Sequence, residues 1–396
     1  MNDQIVTLNA GSSSVKFALF AVARPWPRLL AQGQISGLGA EPSFEARILC
    51  GEAFKKPLRG ETHAAAVQFV VEWLDEHFPD GAVKAVGHRI VHGGMRYAEP
   101  VVIDDQILAD LRELEPLAPL HQPYGVAGVE AARAAFPSAP QVACFDTGFH
   151  RGHAFAQEAY ALPIAYYEKG VRRFGFHGLS YEFIAHRLRE AEPVVACGRV
   201  IAAHLGNGAS LCAMKDGRSV ASTMGFSALE GLPMGTRCGE IDPGVLFYLI
   251  EHEKMSVEGV RHLLYEQSGL KGLSGVSQDM RVLEADGSAG AERAIAYFVN
   301  RIRMEIGALT AALGGIDAFV FTGGIGEHSA RVRREVLLGL EWLGVTLDGE
   351  ANARGDLRIS GAASDVAAYV IPTDEEAMIA HHTSKAAGID MLSAAA

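Results

Sequence analysis

Short apolar runs separated by glycine-rich turns form the most regular pattern along the chain. Residues 5–8 and 15–22 are such runs, and the same strand–turn–strand arrangement returns at 200–205 and 211–214. Runs rich in Val, Ile, Leu and Phe and bounded by Gly or Ser are typical of β-strands. A further run, 318–322, also ends in glycines. The pattern predicts hairpin pairs of strands and suggests two related halves.

Longer segments with apolar residues at helical spacing lie between these runs. They predict helices over 62–78, 105–115, 125–136, 180–190, 243–252, 290–313 and 330–342, and the alanine-rich end from 384 to 396 predicts a terminal helix with a tail. Strands followed by helices are typical of the α/β class. Because single cores stop growing near roughly 250 to 300 residues, the 396-residue chain predicts two domains.

Composition and charge narrow the range of partners. The chain is 49% hydrophobic and 21% charged, and its net charge is -12. A surface for nucleic acid or acidic lipid needs clustered Lys and Arg, and no long basic run is present. No apolar run reaches the ~18 residues of a membrane helix, and the N-terminus has no signal-peptide pattern. The sequence predicts a cytoplasmic protein that binds neither nucleic acid nor membrane.

A zinc enzyme is disfavoured. The five cysteines form no C-x-x-C pair and have no histidine at zinc-ligand spacing. His88 and His92 are four residues apart, but the β-branched residues between them and the glycines after them do not suit a helical zinc motif.

Three glycine-containing turns follow predicted strands in separate parts of the chain. In the first, residues 9–16, the hydroxyls of Ser12 and Ser14 can donate to a phosphate, and Lys16 supplies a compact positive charge. The turns at 206–208 and 323–326 offer backbone N–H groups to a closely approaching ligand. None is a G-x-x-x-x-G-K-[ST] P-loop, and each alone would more often be structural. Together they predict a bound nucleotide.

Four polar residues in glycine-flanked loops are candidates for chemistry. Arg89 and Arg237 can each donate two parallel hydrogen bonds to a carboxylate or to a transferring phosphoryl group. His177 can donate to a phosphoryl oxygen or serve as a hydrogen-bonded structural residue, and the residues alone favour neither interpretation. Asp146 can position a magnesium-bound water, orient an arginine, or cap a turn.

These motifs, in this order, resemble the acetate kinase family, and the resemblance runs from residues 6–14 to 371–376, nearly the whole chain. It implies an α/β fold of the two-lobed, actin-like ATPase type, with duplicated β-sheet and helix cores flanking a nucleotide cleft. The N-terminal lobe would comprise 1–150, completed by a C-terminal helix over 376–396. The C-terminal lobe would comprise 151–375 and carry the interface of a homodimer.

The resemblance implies the reversible, Mg²⁺-dependent transfer of the γ-phosphoryl group of ATP to acetate, which gives acetyl phosphate and ADP. Mn²⁺ would also serve as the metal. Two alternatives stay open: a kinase for propionate or another short-chain acid, and a non-catalytic actin-like nucleotide-binding protein. Arg89, Asp146, His177 and Arg237 together argue against the second.

The resemblance also implies a role for individual residues. The catalytic set is Asp146, Arg89, His177 and Arg237. The substrate would contact Arg89, Val91, Leu120 and Ala228. The nucleotide would contact Ser12, Ser14, Lys16, His204, Leu205, Gly206, Asn207, Gly208, Asp279, Met280, Arg281, Gly324, Ile325, Gly326, Glu327 and His328. The metal would be bound by Asn9 and Glu375.

One pocket position departs from the family pattern. Ala228 stands where proline is usual, which would enlarge the acyl pocket by about a methylene group. The departure predicts that propionate is also accepted well.

Overall fold

The structure, a computed structural model, describes residues 2–11, 13–49, 51–59, 62–119 and 121–389. Several positions used in the predictions lie outside these ranges: the predicted site residues Ser12 and Leu120, one of the five cysteines, Cys50, and the predicted tail after residue 389. The described residues form two compact units. The first runs to Phe149 and resumes at Asp374, and the second runs from His150 to Thr373.

The described chain contains runs of strands and runs of helices, beginning with five strands before the first helix. The strands are β1 (Asn2–Ala10), β2 (Ser14–Ala21), β3 (Arg28–Ser36), β4 (Ser43–Ile48), β5 (Ala53–Pro57), β6 (Gly81–Ile90), β7 (Val101–Val102), β8 (Gln141–Phe145), β9 (Arg199–Leu205), β10 (Ala209–Lys215), β11 (Arg218–Ser222), β12 (Ala318–Thr322) and β13 (Ala367–Val370). The helices are α1 (His63–His77), α2 (Asp105–Glu113), α3 (Gln122–Ala135), α4 (Phe155–Glu158), α5 (Ile164–Glu168), α6 (Gly178–Ala191), α7 (Pro193–Ala196), α8 (Pro243–Glu251), α9 (Val257–His262), α10 (Gly269–Ser274), α11 (Met280–Asp286), α12 (Ala289–Leu313), α13 (Gly323–His328), α14 (Ala330–Leu338), α15 (Gly349–Arg354) and α16 (Glu375–Ala386). Short 3-10 turns at Glu115–Leu117, Gly148–His150 and Glu341–Leu343 and a π-helical turn at Leu263–Gln267 complete the elements.

Each unit has one mixed sheet, and the two sheets share a connection pattern. In the first unit the strand order is β5-β4-β3-β2-β1-β6-β8-β7, and in the second it is β11-β10-β9-β12-β13. In both, a first strand pairs antiparallel with the second, which pairs antiparallel with the third. The first strand also begins a parallel series of three. The predicted α/β class with duplicated sheets is confirmed.

The core of the first unit lies between its sheet and helix α1. The rings of Phe17 and Phe44 stack with their centroids 6.0 Å apart, and Trp73 from α1 meets Phe17 edge-on at 5.7 Å. All three side chains are buried. Helix α1 begins after Thr62. The first N–H groups of a helix have no partner within it, and the Thr62 hydroxyl caps α1 by accepting a hydrogen bond from one of them, the N–H of Ala65.

Helix α16 covers another part of the same sheet. Asp374 caps it by accepting a hydrogen bond from the N–H of Ala377 at 2.9 Å. The helix approaches β6 so closely that a Cβ at Gly87 would lie 2.1 Å from the hydroxyl of Thr383. It ends at Ala386, before the end of the predicted helix over 376–396, of which residues 390–396 are outside the described ranges.

Helix α12 forms the centre of the second unit. It buries a stripe of side chains that includes Ile295, Phe298 and Ile302 and runs to the left-handed Gly314 at its end. The hairpin of β10 and β11 turns through Asp216 and Gly217, which both have positive φ angles, 52° and 69°. A two-residue hairpin loop of this kind matches the twist of the strands it joins.

Among the helices in the described ranges, none has both the length and the apolar character that a membrane span requires.

Candidate active-site residues in the two units

In the first unit, Arg89 is the common partner of three predicted site residues. Its Nε donates to Asp146 Oδ1 at 3.1 Å, and a terminal nitrogen donates to Asp146 Oδ2 in a second bond. The other terminal nitrogen lies 3.4 Å from Asn9 Oδ1, and Nε lies 3.8 Å from a carboxylate oxygen of Glu375. A guanidinium can serve several oxygens because its five N–H groups point outward in one plane.

The strand order explains why these residues meet. Asn9 is near the end of β1, Arg89 near the end of β6, and Asp146 directly follows β8. The three strands are parallel neighbours, so their carboxyl ends lie at one edge of the sheet, where ligands of α/β proteins commonly bind. Glu375 reaches the same edge as the first residue of α16.

Burial and the partner's charge shift the pKa of each member of the Arg89–Asp146 ion pair in opposite directions. Asp146 is 1% exposed, and burial raises the pKa of its carboxyl to about 6, with Glu375 adding to the effect and Arg89 opposing it. Burial also works to lower the pKa of Arg89, but Asp146 and Glu375 outweigh it and the net shift is upward. At neutral pH the pair is therefore ionised on both sides.

A second, partly buried carboxylate belongs to this neighbourhood, that of Glu376. Burial raises the pKa of Glu376 to about 7, while a hydrogen bond from the Thr7 hydroxyl and the charge of Lys16 work to lower it. Lys16 is paired with Asn9 in the β1–β2 register. Ser14 closes the intervening turn, because its carbonyl accepts from the N–H of Gly11 at 2.8 Å.

The predicted metal ligands Asn9 and Glu375 both approach Arg89. Amide and carboxylate oxygens are the donors that Mg²⁺ prefers, usually one or two per site with water and phosphate completing the shell. The oxygens beside Arg89 fit that preference. In the described part of the chain, no three His, Cys, Asp or Glu side chains converge as a metal centre, so a dedicated all-protein cage is not what these residues form.

The predicted pocket residue Val91 is buried directly after β6.

In the second unit, His177 and His204 stack on each other. Their ring centroids are 4.3 Å apart and the planes differ by 21°. His177 Nδ1 lies 2.8 Å from the Ser210 hydroxyl, and His204 Nδ1 lies 2.8 Å from the Ser180 hydroxyl, so each ring is held through the same nitrogen. His177 Nε2 lies 3.0 Å from the position that a Cβ at Gly208 would take. The ring therefore borders the turn at 206–208.

The backbone at His177 is held in an unusual conformation. Its φ is 58° and its ψ is 24°, a left-handed geometry that is uncommon for residues other than glycine. His150 Nε2 contacts the preceding carbonyl, that of Phe176, at 2.9 Å, and its Nδ1 contacts the Ser219 hydroxyl at 2.8 Å. Because a carbonyl only accepts, Nε2 of His150 carries the proton. Burial lowers the pKa of His150 to about 3, which keeps this ring neutral.

Arg237 is the other predicted catalytic residue of this unit. One of its terminal nitrogens donates to the backbone carbonyl of Ala228 at 2.9 Å. Position 228 therefore contributes to the placement of Arg237 through its main chain, independently of its side chain.

A cavity of about 390 Å³ brings together eight of the predicted nucleotide contacts. Those residues are Gly206, Asn207, Asp279, Met280, Arg281, Gly324, Ile325 and His328, and the wall is completed by Gln278, Glu284 and Ser329. An added Cβ at Gly324 would meet nothing within 4 Å, so the space in front of this residue is open.

Other predicted nucleotide contacts do not line this cavity. Leu205 and Gly326 are buried, and Gly208 lies beside His177. The Glu327 carboxylate accepts from the N–H groups of Gly323 and Thr373, at 2.8 Å and 3.1 Å. It joins the start of α13 to the segment after β13.

Sequence reasoning missed the residues that hold the histidine rings. Ser180 and Ser210 follow His177 and the turn at 206–208 by a few positions, which is the only signal the sequence offers for them. Tyr181, which contacts Ser210, looks in the sequence like a core residue of α6.

Known proteins similar to this chain identify its family. The family model described as the acetokinase family matches residues 4–381. The chain belongs to the acetokinase family. It is 52% identical to the acetate kinase of Methylocella silvestris over 396 aligned positions, which cover 97% of this chain and 98% of the relative. It is 50% identical to the acetate kinase of Rhodopseudomonas palustris, with coverage of 96% and 98%.

Solved structures of acetokinases agree with the fold. Porphyromonas gingivalis acetate kinase superposes with a TM-score of 0.88 at 37% identity, and a Francisella tularensis propionate kinase with a TM-score of 0.90 at 33% identity. Each comparison covers 97% of this chain and 99% of the solved one. The predicted membership of the acetate kinase family is confirmed, and with it an enzyme that phosphorylates a carboxylate.

We predict that Gly324→Leu weakens ATP binding to this acetokinase. The new side chain would fill the open space of the cavity, and the dissociation constant of ATP should rise about tenfold or more, roughly 1.4 kcal/mol. Isothermal titration calorimetry measures the constant. Gly349→Leu is the matched control, because a Cβ at this exposed position also meets nothing and it lies outside the cavity. Equal ATP affinity in both variants would contradict the assignment.

Proposed function

We propose that this acetokinase transfers the γ-phosphoryl group of ATP to acetate, reversibly, giving acetyl phosphate and ADP. The observation that carries the proposal is the cluster at one sheet edge: a charged Arg89 with Asp146, Asn9 and Glu375 around it. Such a cluster supplies both a cation for a carboxylate substrate and oxygens for a metal. The acetate kinases among its relatives support the same activity.

Arg89 is proposed to bind the substrate carboxylate, and the resemblance to the family implies that Val91, Leu120 and Ala228 contact the acyl group. A carboxylic acid with a pKa near roughly 4.3 is already ionised at neutral pH, so its oxygen needs no general base in order to attack. Asp146 is accordingly not needed as a general base, and its carboxylate is instead paired with Arg89 by two hydrogen bonds. We assign Asp146 the role of orienting Arg89 and the metal-side oxygens.

His177 and Arg237 are proposed to stabilise the phosphoryl group during transfer. Its equatorial oxygens stay negatively charged, and fixed donors aimed at them accelerate the reaction without reorganisation. His177 borders the turn at 206–208, and Arg237 is anchored by the Ala228 carbonyl. Lys16, Ser12 and Ser14 are proposed to contact the ATP phosphates in the first turn.

Asn9 and Glu375 are proposed to hold Mg²⁺, with Mn²⁺ as a substitute. The ion would neutralise phosphate charge when bound. The amide oxygen of Asn9 and the carboxylate of Glu375, which both approach Arg89, support the assignment because Mg²⁺ prefers oxygen donors of these types. In the second unit, the cavity residues Asp279, Met280, Arg281, Gly324, Ile325 and His328 are proposed to bind adenosine, with Gly326 and Glu327 shaping the same segment. His204, Leu205, Gly206, Asn207 and Gly208 are proposed to contact the phosphates.

The two compact units are proposed to be the lobes expected from the sequence, and the protein to act in the cytoplasm, where ATP is supplied. We also propose a homodimer. All nine residues of α8 are described and none is buried, although most are apolar. Phe247 is 61% exposed and Tyr248 51% exposed. Exposed apolar patches of this kind mark interaction sites, and a second copy of the chain is the proposed cover.

The activity is tested by mixing the purified protein with MgATP, acetate and hydroxylamine, which traps acetyl phosphate as the hydroxamate. We expect hydroxamate from the wild type and about a hundredfold or greater loss of turnover in Arg237→Ala, because this charge is needed most in the transition state. Arg354→Ala, which removes an exposed arginine from α15, is the control. No product from acetate, propionate or butyrate would leave only a non-catalytic nucleotide-binding protein.

Propionate is the second candidate substrate, favoured by Ala228 and by the similarity to a propionate kinase. Ala228→Pro should lower kcat/KM for propionate relative to acetate by about tenfold, since one methylene is worth roughly 1 to 3 kcal/mol in a pocket. The substitution keeps the carbonyl that anchors Arg237, so the rate with acetate should change little. The same selectivity before and after the substitution would show that position 228 does not set pocket size.

The homodimer is tested by the molar mass in solution. Phe247→Glu places a charge on the apolar face of α8 and should shift light scattering toward the monomer. Trp342→Glu is the control, because Trp342 is as exposed, at 71%, but lies away from α8 in the sequence. A wild-type monomer, or a dimer that both variants retain, would contradict the assigned interface.

A further inference from the structure

A buried hydrogen-bond chain ends on the ring of His177. The Tyr181 hydroxyl lies 2.5 Å from the Ser210 hydroxyl, which lies 2.8 Å from His177 Nδ1. Tyr181 and Ser210 are fully buried, each with 0% exposure. Neither has been assigned a role in the reaction so far. Tyr181 is linked through Ser210 to the ring proposed to stabilise the phosphoryl group.

The direction of donation follows from the Tyr181 end of this hydrogen-bond chain. A phenol hydroxyl has one proton to donate. Tyr181 is fully buried, and among the described residues the acceptor that its hydroxyl reaches is the Ser210 oxygen, at 2.5 Å.

Ser210 is the acceptor for that proton. The Ser210 hydroxyl has two partners, the Tyr181 hydroxyl and His177 Nδ1. If Ser210 donated to Tyr181, a buried O–H would have no acceptor, at a penalty of about 1 to 3 kcal/mol. Ser210 therefore accepts from Tyr181 and turns its own proton toward His177. Nδ1 of His177 is the acceptor of this last bond.

We propose that Tyr181 and Ser210 are positioning residues that hold His177 as the neutral tautomer with its proton on Nε2. Nε2 is the nitrogen that borders Gly208, in the turn assigned to the ATP phosphates. The inference rests on the proposed function for its catalytic meaning, but the tautomer itself is a property of the protein without substrate.

The tautomer matters because it decides whether Nε2 presents an N–H group or a lone pair to a phosphate. With the proton on Nε2, His177 donates a hydrogen bond to a phosphoryl oxygen. With the proton on Nδ1, a lone pair would face the same oxygen and repel it. No proton is transferred in the step; the N–H remains on Nε2 throughout. The stacking on His204 and the left-handed backbone of His177 fix the ring plane, and the chain fixes its polarity.

The kinetic test uses Tyr181→Phe and Ser210→Ala. Removing the Tyr181 hydroxyl frees Ser210 to accept from His177, so both tautomers become populated. We expect kcat for acetate phosphorylation to fall about tenfold in each variant, with KM for ATP and acetate nearly unchanged. Tyr369→Phe, at another buried tyrosine of the second unit, is the matched control and should keep wild-type kcat. Thermal melting checks that all three variants are folded.

The decisive readout is the ¹⁵N spectrum of the histidine rings, which distinguishes protonated from unprotonated nitrogens, with His177→Gln assigning the signals. We expect Nε2–H in the wild type and a mixture in Tyr181→Phe. A wild-type ring protonated on Nδ1, or a tautomer that Tyr181→Phe leaves unchanged, would overturn the inference even if kcat falls. If the wild type forms no acetyl phosphate, the proposed function fails, while the spectrum still decides the tautomer.

Discussion

The ion pair between Arg89 and Asp146 is the interaction on which the first unit's site depends. Asp146, Glu375 and Glu376 place several carboxylates near one sheet edge, and a buried carboxylate without a partner is strongly destabilising. Arg89 offsets this charge and reaches oxygens that are 57 and 80 positions away in the chain. Its guanidinium therefore keeps Asp146 ionised and directs Asn9 and Glu375 toward the same point. In the proposed function, a carboxylate substrate or a metal would enter a cluster whose charges are already arranged.

The second unit uses neutral groups for a comparable purpose. The rings of His177, His204 and His150 are oriented by serine hydroxyls and backbone groups, and burial keeps His150 uncharged at neutral pH. A ring held in this way presents a defined N–H or lone pair to its surroundings. In the proposed mechanism, charge neutralisation by Arg237 and directed donation by His177 are separate contributions, one set by a guanidinium and the other by a tautomer.

Most of the fold could be predicted from the sequence, because apolar runs and glycine turns report local structure. The strands at 200–205 and 318–322 and the helix at 290–313 lie close to their predicted positions. The end of α16 was less predictable, since alanine-rich sequence continues past the residue at which the helix stops. Glu327 also illustrates the limit: its motif points to a nucleotide, but its carboxylate accepts from two backbone N–H groups.

Partnerships between distant side chains were beyond sequence reasoning. Ser210 lies opposite His204 because β10 pairs with β9 in one particular register, and Asp146 meets Arg89 because β6 and β8 are neighbours. Neither the strand order nor the ring orientation can be derived from spacing. The residue types could be named in advance, as Arg89 and Asp146 were, but not which atoms would share a proton or a charge.

The measurement that tests this account most directly is the turnover of Arg89→Lys with acetate and MgATP. Lysine keeps the positive charge but cannot donate to both oxygens of Asp146 while it also approaches Asn9 and Glu375. The account predicts that acetyl phosphate formation falls about a hundredfold or more, with the melting temperature nearly unchanged. Wild-type turnover in Arg89→Lys would contradict it, because charge alone would then be sufficient.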